Sequence, residues 1–270
     1  MISRFERVSN YVIVIALTVG VLFPVAWFVL TSLSPNTSGA LDFSNIAWSN
    51  FTAAWHDGNL AHSMYASLVI TVSAVAGQTV LAILSGYAFG ILGVVGERFL
   101  FPVILLGMMV STEVIVIPLY YEFQRIGLTN SWLGLVIIQL GMGVPFGTYW
   151  MRATFRALPR SVMDSAAVDG AGVWSTLWRI LVPMARPAVL TLVLLSFMWT
   201  WNDFFLSLIF LGDPDKQTAT VALGAFQGRH VLQVNLMAAG SLIVSLPVVA
   251  LYLFFQREFI SGVMAGAVKE

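Results

Sequence analysis

Few residues in this chain are equipped for chemistry, and most of those lie in apolar surroundings. Glu113 sits inside "VSTEVIVIPL", Gln139 inside "LVIIQLGMG", and Trp201, Asn202 and Asp203 inside "FMWTWNDFF". A charged or amide side chain in such a run is costly to place in lipid, so it is a candidate for function. Glu113 has two readings: it lines a pathway, or it is a buried acid satisfied by a neighbouring helix. An indole beside an amide suits a sugar, which offers a face to stack on and hydroxyls to hydrogen-bond. The same Trp-Asn-Asp triplet also suits helix packing. Gln139 is a weaker case of the same kind.

Hydrolytic machinery is missing. No apolar run holds a Ser/His pair, a His-Glu-x-x-His or paired aspartates, so an intramembrane enzyme lacks its acid and base. The histidines His56, His62 and His230 show no ligand spacing, and there is no cysteine, so no metal site is expected. A phosphate-binding loop needs Gly-Lys followed by Ser or Thr; the only lysines are Lys216 and Lys269, and neither lies in one. The chain is therefore expected to bind no cofactor. ATP, if it is the energy source, must be hydrolysed elsewhere.

The elements that carry these residues follow from composition. Of 270 residues, 59% are hydrophobic and 10% charged, against about a quarter charged in a soluble domain. This predicts an all-α protein with several passes through a membrane, with the lipid bilayer as its solvent. Six runs reach the roughly 20 residues that a helix needs to span: about 10–33, 64–92, 99–121, 131–151, 187–211 and 236–256. The first is too long in its apolar core for a cleaved signal and reads as an anchor. Ten of the thirteen Lys and Arg fall on one side if the N-terminus is cytoplasmic, which places both termini inside. Segments 34–63 and 212–235 then lie outside. The first contains "SNFTAAWHDGNLAH", read as a short amphipathic helix at the interface, and the second opens with the turn-forming "GDPD". No soluble domain or repeat is visible over 1–270. Gly86 and Gly90, and Gly143 and Gly147, have the spacing that lets helices approach closely.

Between the fourth and fifth runs lies "DSAAVDGAGVWSTLWRILVPMARP", from Asp164 to Pro187. Pro159 suits the first turn of a helix and Ser161 its cap, giving a helix from Ser161 to Val168. Asp169-Gly170 breaks it, with Gly170 able to close the helix in a left-handed conformation. A second short helix follows, with Val173, Leu177 and Ile180 on one side, and Pro183 and Pro187 turn the chain into the next run. The expected result is a cytoplasmic elbow with a small-residue face of Ala166, Ala167, Gly170 and Ala171, suited to close approach by another protein. A helix lying on lipid usually carries Lys and Arg on its polar face instead, and Asp164 and Asp169 sit poorly there.

At these residues the chain resembles the permease subunits of bacterial binding-protein-dependent ABC importers, whose cytoplasmic EAA loop follows the pattern Glu-Ala-Ala, two residues, Asp-Gly-Ala, and a later Ile-x-Leu-Pro. Ala166, Asp169, Gly170, Ala171, Ile180 and Pro183 match with the spacing intact. Asp164 stands for the glutamate, Ser165 for the first alanine and Val182 for the leucine. "IPLYYEFQRIGLTNSWLGLVI", "FMWTWNDFF" and the tail "QREFISGVMAGAVKE" are similar to the carbohydrate-type members, the group that includes the smaller maltose permease. Their tail usually ends in Gly where this one has Glu270.

The resemblance implies a type I importer fold with the coupling loop at 159–183. It implies a second homologous permease completing the pore, two cytoplasmic ATPase subunits carrying ATP and Mg, an extracytoplasmic sugar-binding protein, and no nucleic acid. It implies location in the bacterial cytoplasmic (inner) membrane. The coupling residues on this reading are Asp164, Ala166, Ala167, Asp169, Gly170, Ala171, Ile180 and Pro183. The alternative is an ion-gradient-driven secondary transporter, which often shows inverted repeats and broken helices and has no need of the EAA pattern.

Overall fold

The structure is a computed structural model that describes residues 4–37, 39, 45–227 and 233–267. Its regular elements are helical. They are α1 (Arg4–Ser32), α2 (Ser49–Asp57), α3 (Leu60–Tyr87, continued by a π-turn Ala88–Leu92), α4 (Glu97–Leu106) and α5 (Thr112–Arg125). Then come α6 (Trp132–Ala157), α7 (Arg160–Val168), α8 (Val173–Met184, containing the π-segment Thr176–Leu181), α9 (Arg186–Trp201), α10 (Phe205–Phe210), α11 (Ala219–Ala222) and α12 (Val234–Ala267). The end of the tail, 268–270, and small parts of the expected outside segments (38, 40–44 and 228–232, the last including His230) lie outside the described residues.

Among the described residues, four helices are long and apolar enough to cross a membrane: Ser9–Ser32, Leu60–Leu92, Trp132–Ala157 and Val234–Arg257. Val173–Met184 with Arg186–Trp201 is a fifth if the pair, bent by 79°, counts as one span. Residues of α1 such as Val14, Leu17, Val21 and Phe23 are more than half exposed. A helix apolar all round and bare all round requires an apolar solvent.

Two expected spans are interrupted. The run 99–121 forms α4 and α5, separated at 107–111. A side chain on Gly107 would come within 2.9 Å of the Pro145 ring on α6, so the bare glycine backbone lies against that ring at the break, and Pro102 and Pro118 weaken the helix on either side. The run 187–211 stops at Trp201 and restarts at Phe205. At the interruption the Asp203 carboxylate accepts hydrogen bonds from the N–H groups of Leu206 (3.3 Å) and Ser207 (3.1 Å), the unpaired donors of the restarted helix. A polar pair that reads as embedded in a span is thus the joint between two helices.

The chain divides into two compact units, each built from two stretches of sequence: Met1–His62 with Ala219–Leu246, and Ser63–Thr218 with Pro247–Glu270. In the first, α2 buries Ala54 against Phe226 and Ala239. Asn50 donates to the carbonyl oxygens of Ser32 and Ser34 at 2.9 and 2.8 Å. The expected interfacial helix is therefore present, but one face is packed against protein rather than lipid.

In the second unit α3 and α6 pack closely. A Cβ on Gly147 would come within 2.7 Å of Ala82, and one on Gly86 would overlap Met151. The small-residue spacing read from the sequence serves this contact. The core beside it joins Ala82, Ile83, Tyr87, Met151 and Phe155 to Leu177 and Leu181 of the elbow. At the end of α6 nearest the elbow, the Glu97 carboxylate accepts from Arg152 and Arg156, each at 2.6 Å, and the Arg152 guanidinium lies 4.0 Å above the Phe101 ring. These contacts hold the start of α4 against α6.

Candidate functional site: an elbow and a polar cavity

The elbow forms as a helix, a left-handed stop and a second helix. Gly170 has φ +73°. The N–H of Ala171 donates to the Ala166 carbonyl at 2.9 Å and that of Gly170 to the Ala167 carbonyl at 3.1 Å. This pair of bonds is the Schellman closure, which satisfies two carbonyls at a helix end and favours glycine at the turn. The N-terminal end of α7 differs from expectation. The helix starts at Arg160, Pro159 occupies the capping position with extended backbone, and Ser161 lies inside the helix with no capping role. Proline has no N–H to leave unpaired, so it fits just outside the helix as well as in its first turn.

The small face also differs. Ala167, Asp169 and Gly170 are exposed and Ala171 half-buried, but Ala166 is buried. Ala166 is turned inward instead of being presented outward, and it is Met163, Leu177 and Leu181 that join the elbow to the core of its unit. Asp164 and Pro183 are exposed, and Ile180 is half-buried. On α8, Leu177 is buried while Val173 is exposed, so the expected shared face is split. The exposed surface of the elbow carries apolar groups at Val168, Val173 and Trp174. Val168 is 88% exposed, so no described residue covers it.

The second feature is a cavity of about 250 Å³ among α3, α6, α9 and the α5 start, lined by Gln78, Thr112, Gln139, Met142, Gly143, Ser196, Trp199, Thr200, Asp203 and Leu206. Gln78 Nε2 donates to the Gln139 carbonyl at 2.7 Å. A Cβ on Gly143 would overlap the Gln78 amide, so this glycine makes room for that side chain. Gln139 Nε2 lies 3.4 Å from the Asp203 carboxylate. The Gln139 side-chain oxygen is buried and accepts no hydrogen bond from the described residues.

The candidates read from the sequence are therefore divided. Gln139 and Asp203 meet at the cavity. Trp201 does not line it: its ring is 2% exposed, stacks on Phe197 at 5.5 Å and packs with Val75. Asn202 is exposed and donates to the Met198 carbonyl of its own helix at 2.8 Å. Glu113 is exposed in the first turn of α5 and accepts a hydrogen bond from Ser111, so it is not a buried acid held by a neighbouring helix. Its neighbour Thr112 is the residue that reaches the cavity. Sequence reasoning missed Gln78, Trp199 and Thr200. A single amide in "SAVAGQTVL" carries no sign of a partner 61 residues away, and Trp199 is told from Trp201 only by which way the helix faces.

Comparison with known proteins agrees with this architecture. Residues 78–260 match the family described as binding-protein-dependent transport system inner membrane component. A probable ABC transporter permease protein of Pyrococcus horikoshii is 32% identical over 76% of this chain and 74% of its own length. The trehalose transport system permease protein of Mycobacterium tuberculosis is 30% identical over 98% of both chains. The diacetylchitobiose uptake system permease protein of Streptomyces coelicolor is 27% identical over 97% of this chain and 89% of its own. A crystal structure of a bacterial ABC transporter involved in the import of the acidic polysaccharide alginate contains a chain with the same fold: TM-score 0.81, 23% identity, 96% of this chain and 99% of that one covered. The ion-gradient alternative finds no support among these relatives. This chain belongs to the binding-protein-dependent transport system inner membrane component family and is an ABC transporter permease, a multi-pass membrane protein.

Proposed function

We propose that this permease forms half of the translocation pore of an ATP-driven carbohydrate importer and that the elbow at 159–183 couples it to an ATPase. The observation that carries the coupling is the left-handed, hydrogen-bonded stop at Gly170, which ends a short helix between two apolar runs and leaves Val168 and Trp174 bare. A rigid knob with uncovered apolar groups fits a groove in another protein. Asp164, Ala167, Asp169, Gly170, Ala171, Ile180 and Pro183 form or support the docking surface, with Ala166 turned inward and Met163, Leu177 and Leu181 joining it to the core of its unit.

Carbohydrate as cargo is supported by the relatives whose names specify trehalose and diacetylchitobiose. A further structural neighbour, at TM-score 0.66 and 16% identity, is a bacterial alginate ABC transporter in complex with alginate pentasaccharide-bound periplasmic protein. By analogy the partners are a second homologous permease, two ATPase subunits that bind ATP and Mg, and an extracytoplasmic sugar-binding protein. The membrane is the bacterial cytoplasmic (inner) membrane.

The topology that fits has six crossings, by α1, α3, α4–α5, α6, α9–α10 and α12, with both termini cytoplasmic. The test of the whole reading is purification from its native membrane. It predicts recovery of a second permease and two ATPase subunits. Saccharide uptake by this chain alone, without any ATPase, would refute it.

A further inference from the structure

Where α3 gives way to α4, an excess of positive charge lies beside bare apolar side chains. A recess of about 810 Å³ opens there, with Glu97, Arg98, Phe99, Phe101 and Arg152 in its wall. Arg152 and Arg156 stand one turn apart on α6. Both donate to a single oxygen of the Glu97 carboxylate, Oε1, and to the Phe89 carbonyl. No described residue accepts a hydrogen bond from Nη1 of either arginine. Arg98 is exposed and forms no ion pair with a described residue. Three guanidinium groups thus share one carboxylate. The apolar half is α4 itself, which buries none of its residues. Phe99, Val103 and Leu106, at i, i+4 and i+7, are each more than half exposed along one face. A soluble anion would match the charge but leave that stripe uncovered. A zwitterionic lipid would cover the stripe but bring its own ammonium to the arginines. An anion carrying an apolar tail satisfies both.

We propose that this recess holds the headgroup phosphate of an anionic phospholipid between Arg98 and Arg152, with an acyl chain lying along Phe99 and Val103. The proposal rests on the six-crossing topology, which puts the turn at 93–96 at the cytoplasmic edge of the membrane; the Glu97 ion pairs with Arg152 and Arg156 place that turn at the elbow end of α6. Guanidinium suits the task, because its planar N–H groups can pair with two phosphate oxygens at once. Glu97 prepares the site. Drawn to one of its oxygens, Arg152 and Arg156 stay beside α4 instead of spreading into water. The Phe101 ring, 4.0 Å from the Arg152 guanidinium, holds that group in place. A phosphate bound here bridges Arg98 on α4 to Arg152 on α6. It therefore braces the end of α6 from which the elbow projects.

The test uses the purified assembly of this chain with its partner permease and ATPases, in phosphatidylcholine vesicles, with a bimane fluorophore on Val103→Cys. The chain has no cysteine of its own, and signal from the partners is removed by subtracting the assembly that lacks this substitution. At 1.5 Å per residue, Val103 lies roughly 9 Å along α4 from Glu97, near the depth of mid-chain carbons. Quenching is compared for phosphatidylglycerol and phosphatidylcholine, each brominated in mid-chain. Phosphatidylglycerol should be favoured about tenfold. Arg98→Gln should cut that preference about fivefold, the order for one basic residue at an anionic headgroup, and Arg98→Lys should keep most of it. Inorganic phosphate, compared with chloride at equal ionic strength, should not displace the lipid. Equal quenching by the two lipids, quenching by neither, or an unchanged preference in Arg98→Gln overturns the site. So does displacement by inorganic phosphate, which makes it a free-anion site, or loss of the ATPase subunits in Arg98→Gln, which makes it a protein contact. Each of these leaves the importer reading standing. Labelling of Gly172→Cys by an impermeant thiol reagent in intact cells reads the topology separately, and there the topology and the site fall together.

Discussion

Replacing Gly170 separates the backbone role of the elbow from its docking role. At φ +73° an L-residue with a Cβ costs about 1–2 kcal/mol relative to glycine. No heavy atom lies within 4 Å of a Cβ built at this position, so no clash within the chain adds to that figure. Gly170→Ala should therefore change the elbow only through its backbone, by about 1 kcal/mol, a roughly fivefold shift in how often the Schellman closure is intact. Gly170→Asn should cost less, because Asn tolerates the left-handed region. Gly170→Trp bears the same backbone cost as alanine but projects a large ring from the surface assigned to the ATPase. Thermal midpoints of the isolated permease should then be nearly equal for Ala and Trp. ATPase recovered per permease on purification, and ATP-driven sugar uptake in vesicles, should fall slightly for Ala and be lost for Trp. Equal recovery and uptake for Trp and Ala would refute the docking role and make the stretch from Asp164 to Pro187 a passive connection.

Three further outcomes follow from the geometry. Trp201→Ala should destabilise the permease by on the order of 3 kcal/mol, because it empties a buried site stacked on Phe197, while Asn202→Ala, exposed and bonded only to its own helix, should change the thermal midpoint little. The Glu97 carboxyl is held below the usual carboxylate range, first by the hydrogen bond from Arg152 and also by the charges of Arg152 and Arg156. Its contribution is thus full above about pH 4.3 and lost as pH falls through the lowered value, so Glu97→Gln should lower the thermal midpoint at neutral pH and remove that acid-dependent loss. Cysteines at Gly212 and Gly172, both with open space for a side chain, report topology: an impermeant thiol reagent added to intact cells should label Gly212→Cys and spare Gly172→Cys, and the reverse pattern would overturn the orientation.

The long apolar helices were legible because length and composition alone specify a span: 64–92, 131–151 and 236–256 lie close to Leu60–Leu92, Trp132–Ala157 and Val234–Arg257. Interruptions were not, because their causes are distant in sequence. The α4–α5 break depends on Gly107 meeting Pro145, and the α9–α10 break on Asp203 folding back onto Leu206 and Ser207. The stop at Gly170 was legible because the chemistry of a left-handed turn is local. The burial of Ala166 was not, since it depends on what the elbow packs against. Gln139 and Asp203 could be singled out as polar residues in apolar runs, yet their meeting, and the inclusion of Gln78, needed three helices to be in place.

The most direct measurement of the central claim is saccharide uptake into vesicles carrying this permease with its partner permease and ATPases, with the binding protein outside and ATP inside. The account predicts accumulation of a saccharide that requires ATP hydrolysis, requires the binding protein and disappears when the elbow carries Gly170→Trp. Uptake that proceeds without the ATPase, driven by a proton or sodium gradient and indifferent to Gly170, would contradict it.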